Sequence, residues 1–338
     1  MLDLHYVECS HLATMDPGHV ALIGASATTA PAIVRIEVAS GAVSTLHTAG
    51  PAPTAPSSVS SAVSIEFPST QGRTAHAFYY PPRNPAFQPL HGTLPPLLTL
   101  VHGGPTAQAS PAYAARIQFW TSRGFAVGNV NYGGSSGYGR AYRQALNGNW
   151  GIVDVEDVIA AARHLGSAGF ADPARMAISG GSAGGYTVLA ALSSSEVFAA
   201  GADYYGISDM TVLARDTHKF ESRYLDSLIG PLPQSQAVYD SRSPLHHLDG
   251  FKSPLIVFQG ADDPVVPPNQ SELIVEALRS RGVPLAYLLY PGEGHGFLKP
   301  ANITRSLQAE LAFYGQVFGF TPADALPALT IENLPVAQ

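Results

Sequence analysis

Charged residues are scarce in this sequence, and their scarcity excludes several classes of protein. Asp, Glu, Lys and Arg make up 13% of the 338 residues, about half the share found in an average domain. Only three residues are lysine, and the formal net charge is −7. Nucleic acids and anionic lipid surfaces are bound by clusters of basic side chains. We therefore expect neither a nucleic acid nor a membrane as a partner.

Cysteine and long apolar runs are also lacking. The one cysteine, Cys9, excludes an intrachain disulfide and a cysteine-rich metal site. A transmembrane helix needs about 18 or more consecutive apolar residues, and the sequence contains no such run. The N-terminal segment is too polar for a signal peptide. We expect a cytoplasmic protein that carries no metal and no organic cofactor.

Turn-forming residues and apolar residues are abundant. There are 33 glycines and 28 prolines, and 46% of the residues are hydrophobic, so the chain is globular and rich in tight turns. Short β-branched runs at 19–23, 32–38 and 43–47 predict strands, and a Pro- and Ser-rich linker follows. We predict a β-rich segment at 1–50, a main domain at 51–320 and a tail at 321–338.

From residue 94 onward, continuously apolar strands alternate with amphipathic helices. The predicted strands are 97–101, 125–130, 175–180, 200–206, 254–260 and 285–291. The predicted helices are 112–123, 152–165, 269–281 and 303–318, together with one that begins near 186. This alternation is typical of an α/β fold with a mostly parallel sheet covered by helices on both faces.

A glycine-rich turn, Gly180-Gly181-Ser182-Ala183-Gly184-Gly185, lies between a predicted strand and a predicted helix. This is the setting of a G-x-S-x-G nucleophile elbow, in which glycines give a strained serine room on a sharp turn. The alternatives are a spectator serine or a phosphate-binding turn. The phosphate-binding pattern G-x-x-x-x-G-K-[ST] is absent, so we predict Ser182 to be a nucleophile.

A nucleophilic serine needs a histidine base and a carboxylate that orients the base. Asp262 and Asp263 follow the strand at 254–260, and His295 follows the strand at 285–291 between two glycines. The order Ser, acid, His is the one found in α/β hydrolases. The adjacent pair His246-His247 lacks a carboxylate or cysteine at ligand spacing. We interpret the following other histidines as structural or surface residues: His76, His91, His164, His218, His246 and His247.

The loop His102-Gly103-Gly104-Pro105 directly follows the strand at 97–101. Two glycines here allow backbone N–H groups to face the nucleophile and form an oxyanion hole. The second donor would be the N–H of Ala183, the residue after the nucleophile. A simple connecting loop is the alternative interpretation.

These motifs together resemble the prolyl oligopeptidase family of serine peptidases. The resemblance rests on VHGGP at 101–105, NYGGSSGYGR at 131–140, WGIVDVEDV at 150–158, GGSAGGY at 180–186, QGADDPVVPPNQS at 259–271 and YPGEGHGF at 290–297. It implies an α/β-hydrolase fold and a catalytic triad of Ser182, Asp263 and His295. It also implies hydrolysis of short peptides through an acyl-enzyme, as in acylaminoacyl and dipeptidyl peptidases.

The chain departs from this family at two positions. Several relatives have Tyr at the position of His102 and use its hydroxyl in the oxyanion hole, which here would rely on backbone donors. Relatives often have Arg or Asn at the position of Val265, where the residue binds a substrate carbonyl. Two other functions therefore stay open: a carboxylesterase that uses the same triad, and a non-catalytic binding protein.

Candidate substrate-pocket residues are Tyr204, Tyr205, Val265 and Trp150. For the two tyrosines, packing in the core is the alternative. The resemblance also implies an N-terminal β-propeller, and residues 12–48 are similar to the end of a last propeller blade. The unpaired edges of such a remnant predict a surface at 12–48 that binds a second copy of the chain or an upstream propeller.

Overall fold

The computed structural model describes residues 4–50, 55–216 and 223–335. The chain divides into two compact units. The first consists of residues 1–65, 78–95 and 110–127, and the second consists of residues 66–77, 96–109 and 128–338. His218 and part of the predicted linker lie outside the described residues, and the boundaries predicted at 50 and 320 stay predictions.

The first unit contains a four-stranded antiparallel sheet in the order β1-β2-β3-β4. Its strands are β1 (Glu8–Asp16), β2 (His19–Ala25), β3 (Ala32–Glu37) and β4 (Val43–Thr48). The last three confirm the predicted runs, whereas β1 was not predicted because its sequence lacks a β-branched run. Leu22, Val34 and Ile36 form a small buried core, whereas nearly every residue of β1 and β4 is exposed.

A second sheet has eight strands in the order β12-β11-β10-β9-β7-β8-β6-β5. The strands are β5 (Val63–Pro68), β6 (Thr74–Tyr80), β7 (Leu97–Val101), β8 (Ala126–Asn131), β9 (Met176–Gly181), β10 (Ala200–Tyr204), β11 (Leu255–Gly260) and β12 (Leu285–Tyr290). Strands β7, β9, β10, β11 and β12 pair in parallel. The buried sequences of β7, β9, β10 and β11 agree with the predicted parallel sheet, whose strands need apolar side chains on both faces, whereas β12 at the sheet edge is only partly buried.

The helices are α1 (Ala115–Thr121), α2 (Arg140–Gln144), α3 (Val153–Ser167), α4 (Ala183–Ser194), α5 (Met210–Asp216), α6 (Tyr224–Leu228), α7 (Gln236–Arg242), α8 (Asn269–Ser280) and α9 (Pro300–Phe318). The long helices α3, α4, α8 and α9 were predicted from their apolar periodicity. Helices α2, α5, α6 and α7 have seven residues or fewer, which is too short for a periodic pattern to be read. In the described ranges no helix has the length and apolar character needed to span a bilayer.

The carboxyl ends of the parallel strands open onto the loops that carry the predicted functional residues. Strand β7 leads to His102, β9 to Ser182, β10 to Tyr205, β11 to Asp263 and β12 to His295. Open α/β sheets build their sites at this edge, because the loops that leave neighbouring strands converge there.

Candidate active site

Ser182 lies on a strained turn between β9 and α4. Its φ of 57° and ψ of −124° are unfavourable for a residue that has a Cβ. The turn also needs glycine at neighbouring positions, since a Cβ on Gly184 would lie 2.4 Å from the carbonyl oxygen of Val101. Ser182 thus occupies a nucleophile elbow at the N-terminus of α4, where the helix dipole favours negative charge.

Asp263 and His295 form a hydrogen-bonded pair. His295 Nδ1 lies 2.8 Å from Asp263 Oδ2, and the Asp263 side chain is fully buried. The other oxygen, Oδ1, accepts hydrogen bonds from the backbone N–H groups of Val265 (2.8 Å) and Val266 (3.0 Å). Asp262, by contrast, is exposed. A carboxylate held at Nδ1 leaves Nε2 free to act as the base, which is the arrangement a triad needs.

The loop that carries His295 is held by Glu293, a residue that sequence reasoning missed. Its carboxylate accepts hydrogen bonds from the backbone N–H groups of Leu298 and Lys299 and from the Asn302 amide, at 2.7–3.0 Å. These contacts hold the pKa of Glu293 below its usual value, with the Leu298 N–H as the largest cause. Glu293 connects the histidine loop to the first turn of α9. The sequence signal was an acidic residue between the two glycines that precede His295.

The two candidate pocket tyrosines occupy different environments. Tyr204 is buried, donates its hydroxyl to Glu310 Oε2 at 2.6 Å and stacks on Phe258, which places it in the core. The Tyr205 ring lies 4.8 Å from the His295 ring, and a Cβ on Gly181 would lie 3.1 Å from it. Tyr205 therefore packs beside both the elbow and the histidine.

Two backbone donors are available for an oxyanion hole. Across the described chain, the N–H groups of Gly104 and Ala183 form no hydrogen bond, and both residues line a cavity with Ser182. Gly103 approaches the elbow closely, since a Cβ there would lie 3.0 Å from the Gly181 carbonyl oxygen. These three residues are the ones predicted for the hole.

His102 orients the loop that supplies the Gly104 donor. Its Nδ1 lies 2.8 Å from the Gly103 carbonyl oxygen and its Nε2 lies 2.7 Å from Ser135 Oγ. Since a carbonyl only accepts, Nδ1 carries the proton. Burial lowers the pKa of His102 to about 4, so the ring is neutral. In a trans peptide the N–H points away from the preceding C=O, and fixing the Gly103 carbonyl therefore fixes the direction of the Gly104 N–H.

The cavity beside Ser182 has a volume of about 40 Å³, and most of the side chains that line it are apolar. Trp150 and Val265, two of the predicted pocket residues, line it, together with Ile207, Leu213 and Tyr224. The Trp150 carbonyl accepts a hydrogen bond from the Arg242 guanidinium at 2.9 Å, which anchors that wall. Tyr204 and Tyr205 do not belong to the lining.

Four of the histidines that were predicted to be structural or surface residues contact other side chains or backbone, and His91 is exposed. The rings of His76 and His164 stack on Tyr138 and Phe67, respectively. His246 Nδ1 and His247 Nε2 lie within hydrogen-bond distance of the backbone carbonyls of Asp240 and Ser241. No group of three or more His, Cys, Asp or Glu side chains is arranged to hold a metal ion in the ranges that the structure covers.

The sheet order, the serine elbow and the Asp–His pair at the strand ends define an α/β-hydrolase fold. The chain belongs to the prolyl oligopeptidase family, whose model matches residues 111–321.

Three known proteins illustrate the similarity. Dipeptidyl aminopeptidase BIII of Pseudoxanthomonas mexicana is 37% identical over 213 residues, which are 61% of this chain and 31% of that protein. The acylamino-acid-releasing enzyme of Arabidopsis thaliana is 28% identical over 62% of this chain and 28% of that protein. The structure of a puromycin-hydrolyzing peptidase of Mycobacterium tuberculosis superposes with a TM-score of 0.93 at 45% identity. That match covers 98% of this chain and 50% of the other, so the chain spans half or less of these relatives.

Proposed function

We propose that this chain is the catalytic part of a serine peptidase that hydrolyses aminoacyl amide bonds in short substrates through an acyl-enzyme. The observation that carries the proposal is the Asp263–His295 pair at 2.8 Å, on loops beside the strained Ser182. Membership of a peptidase family supports the same activity. The names of the relatives, a dipeptidyl aminopeptidase and a puromycin-hydrolyzing peptidase, support an aminoacyl substrate.

In this proposal each group performs one step of acyl transfer. His295 Nε2 takes the hydroxyl proton of Ser182 as the oxygen attacks the carbonyl carbon, and then donates that proton to the leaving amine. Asp263 keeps the imidazole in the Nδ1–H tautomer and stabilises the imidazolium. The N–H groups of Gly104 and Ala183 stabilise the oxyanion, and the loss of one such donor typically costs about 3 kcal/mol of transition-state stabilisation.

The small apolar cavity beside Ser182 favours an uncharged acyl side chain. None of the described residues in its walls has a charged side chain, and burying a charge there without a partner would be costly. A volume of about 40 Å³ accommodates a small aliphatic group. We therefore expect aminoacyl amides with small aliphatic side chains to be better substrates than those with Lys or Asp at the same position.

The surface at 12–48 is proposed to bind a second copy of the chain or an upstream propeller. Exposed apolar side chains support this proposal, among them Leu12, Ile33, Val43 and Leu46. The chain spans half or less of the relatives that it matches.

The test of the catalytic proposal is the loss of turnover and labelling in Ser182→Ala. Wild-type protein should hydrolyse leucyl-4-nitroanilide and puromycin, and a fluorophosphonate probe should label Ser182. Because triad members act as a unit, Ser182→Ala should reduce turnover by about 10⁴-fold or more. Ser194→Ala, on an exposed position of α4, is the matched control and should keep both activities.

Two results would count against this function. Labelling that persists in Ser182→Ala would assign the nucleophile elsewhere. Hydrolysis of 4-nitrophenyl esters without any hydrolysis of aminoacyl amides would favour the carboxylesterase, since esters need less help for the leaving group.

A further inference from the structure

A second, larger cavity adjoins the apolar cavity beside Ser182. Its volume is about 570 Å³. The two cavities share Tyr224, whose hydroxyl lies 2.8 Å from Thr106 Oγ1. Thr106 lines the larger cavity, and its neighbour Pro105 lines the smaller one. A substrate bound at Ser182 thus has a second space within reach, beyond Tyr224.

The lining of this second cavity is polar and positively charged. Arg140 and Arg143 lie on α2, three residues apart and therefore on the same helix face. Ser136, Gln144 and Asn147 add hydrogen-bonding groups, and no Asp or Glu belongs to the lining among the residues that the structure describes. We call this space the arginine cavity.

The two guanidinium groups are free to bind a ligand. Neither forms an ion pair or a side-chain hydrogen bond with any residue that the structure describes. Most other arginines of the second unit are engaged, as shown by the pairing of Arg73 with Asp157 and Glu156. Two uncompensated cations at one cavity of an acidic chain attract an anion, and guanidinium binds carboxylate through paired N–H groups.

The arginine cavity lies on the side of Ser182 where the acyl half of the substrate binds. His295 delivers a proton to the leaving group, so the leaving group lies at the histidine loop. No residue of the histidine loop, 291–299, lines either cavity. A group that extends from the apolar cavity past Tyr224 therefore belongs to the half of the substrate that remains on Ser182.

We propose that the arginine cavity binds a carboxylate carried by the acyl half of the substrate, either on the second residue before the cleaved bond or in an acidic N-acyl group. This inference rests on the proposed function, because it assigns the cavity to the substrate of the same site. It adds a selectivity for acidic acyl groups that neither the apolar cavity nor the Ser182 site provides.

The test compares two substrates that differ only in charge, glutamyl-leucyl-4-nitroanilide and glutaminyl-leucyl-4-nitroanilide. In wild-type protein at low salt, kcat/KM for the glutamyl substrate should be about tenfold higher than kcat/KM for the glutaminyl substrate. A tenfold difference corresponds to one charge-assisted contact. The ratio should fall towards one in Arg140→Gln/Arg143→Gln. Arg163→Gln removes an exposed arginine of α3 outside both cavities and should leave the ratio unchanged.

A binding measurement separates this proposal from the catalytic one. Calorimetry with the products glutamyl-leucine and glutaminyl-leucine needs no turnover, and the same arginine-dependent preference is expected. Inactivity towards both nitroanilides would refute the proposed peptidase, whereas equal binding of both dipeptides by wild-type protein would overturn the arginine cavity as a substrate site. Arginine-dependent binding of inorganic phosphate without discrimination between the dipeptides would likewise overturn it, since the cavity would then serve a free anion.

Discussion

At the scale of single residues, the carboxylate that holds His295 is set apart from its neighbour by burial. Asp263 is buried and receives two backbone N–H groups besides His295 Nδ1, whereas Asp262 is exposed. Both are aspartates in the same loop, so the residues alone did not decide which of the two orients His295. The resemblance to the family assigned the acid to Asp263, and the contacts place that carboxylate at the histidine.

We predict that Asp263→Asn reduces turnover by about 10⁴-fold, because an amide favours the wrong imidazole tautomer. Asp262→Asn is the matched control, with the same chemical change one residue away on an exposed side chain. Steady-state kinetics on leucyl-4-nitroanilide gives the comparison. Equal losses in the two variants would remove Asp263 from its proposed role.

The motifs made the elbow, the histidine and the oxyanion loop predictable, because each has a distinctive pattern of glycines. Glu293 and the arginine cavity were not predictable. The role of Glu293 depends on the start of α9, seven residues downstream. The cavity depends on α2 and α6, which are too short to leave a periodic pattern. Tertiary contacts of this kind appear only once the loops are packed.

At the scale of elements, the close packing of α4 against β10 encloses an unusual carboxyl group. Asp203 on β10 is fully buried, and a Cβ on Gly185 of α4 would lie 2.3 Å from its Oδ1. Neither Asp203 oxygen has a partner with hydrogen-bond geometry in the described part of the chain. Burial raises the pKa of Asp203 to about 7, and the backbone of Gly206 offsets this only in part.

This raised pKa predicts a pH dependence of stability. The folded state binds the Asp203 proton more tightly than the unfolded state, whose pKa is 3.8. The free energy of unfolding therefore decreases as pH rises from about 4 to about 7, by about 4 kcal/mol in total, and Asp203 adds no further change above that range.

Asp203→Asn removes this titration while keeping the shape of the side chain. The Tm of the variant relative to wild type should rise between pH 4 and pH 7 and stay level above. Asp172→Asn is the control, and its Tm relative to wild type should change with pH in the opposite direction. The reason is that the backbone N–H of Ala174 and the Arg175 side chain lower the pKa of Asp172. A difference between Asp203→Asn and wild type that does not vary with pH would show that the carboxyl stays ionised in the fold.

The fold itself was largely predictable at this scale. Strands β7 to β12 and helices α3, α4, α8 and α9 lie within a few residues of their predicted bounds, because their apolar patterns are long and regular. Strand β1 was missed, since its exposed residues give no alternation.

At the scale of the whole molecule, the four-stranded sheet leaves apolar side chains exposed. Leu12 on β1 is 71% exposed and Leu46 on β4 is 50% exposed. The β1–β2 and β3–β4 pairings both contain register shifts, and such irregularities make an edge a poor template for further strand pairing. Exposed apolar side chains, rather than backbone edges, are therefore the proposed contact surface.

We predict that the isolated chain self-associates through these side chains. Burying apolar surface yields roughly 25 cal/mol per Å², and a charge at such a contact opposes burial. Sedimentation velocity should give a mass above that of a 35.4 kDa monomer for wild-type protein and a monomer for Leu12→Asp/Leu46→Asp. Turnover of leucyl-4-nitroanilide should be unchanged, because neither leucine lines the cavities at the proposed site. Leu90→Asp, at an exposed leucine outside the four-stranded sheet, should keep the wild-type mass. A wild-type monomer would instead favour an upstream propeller as the occupant of residues 12–48.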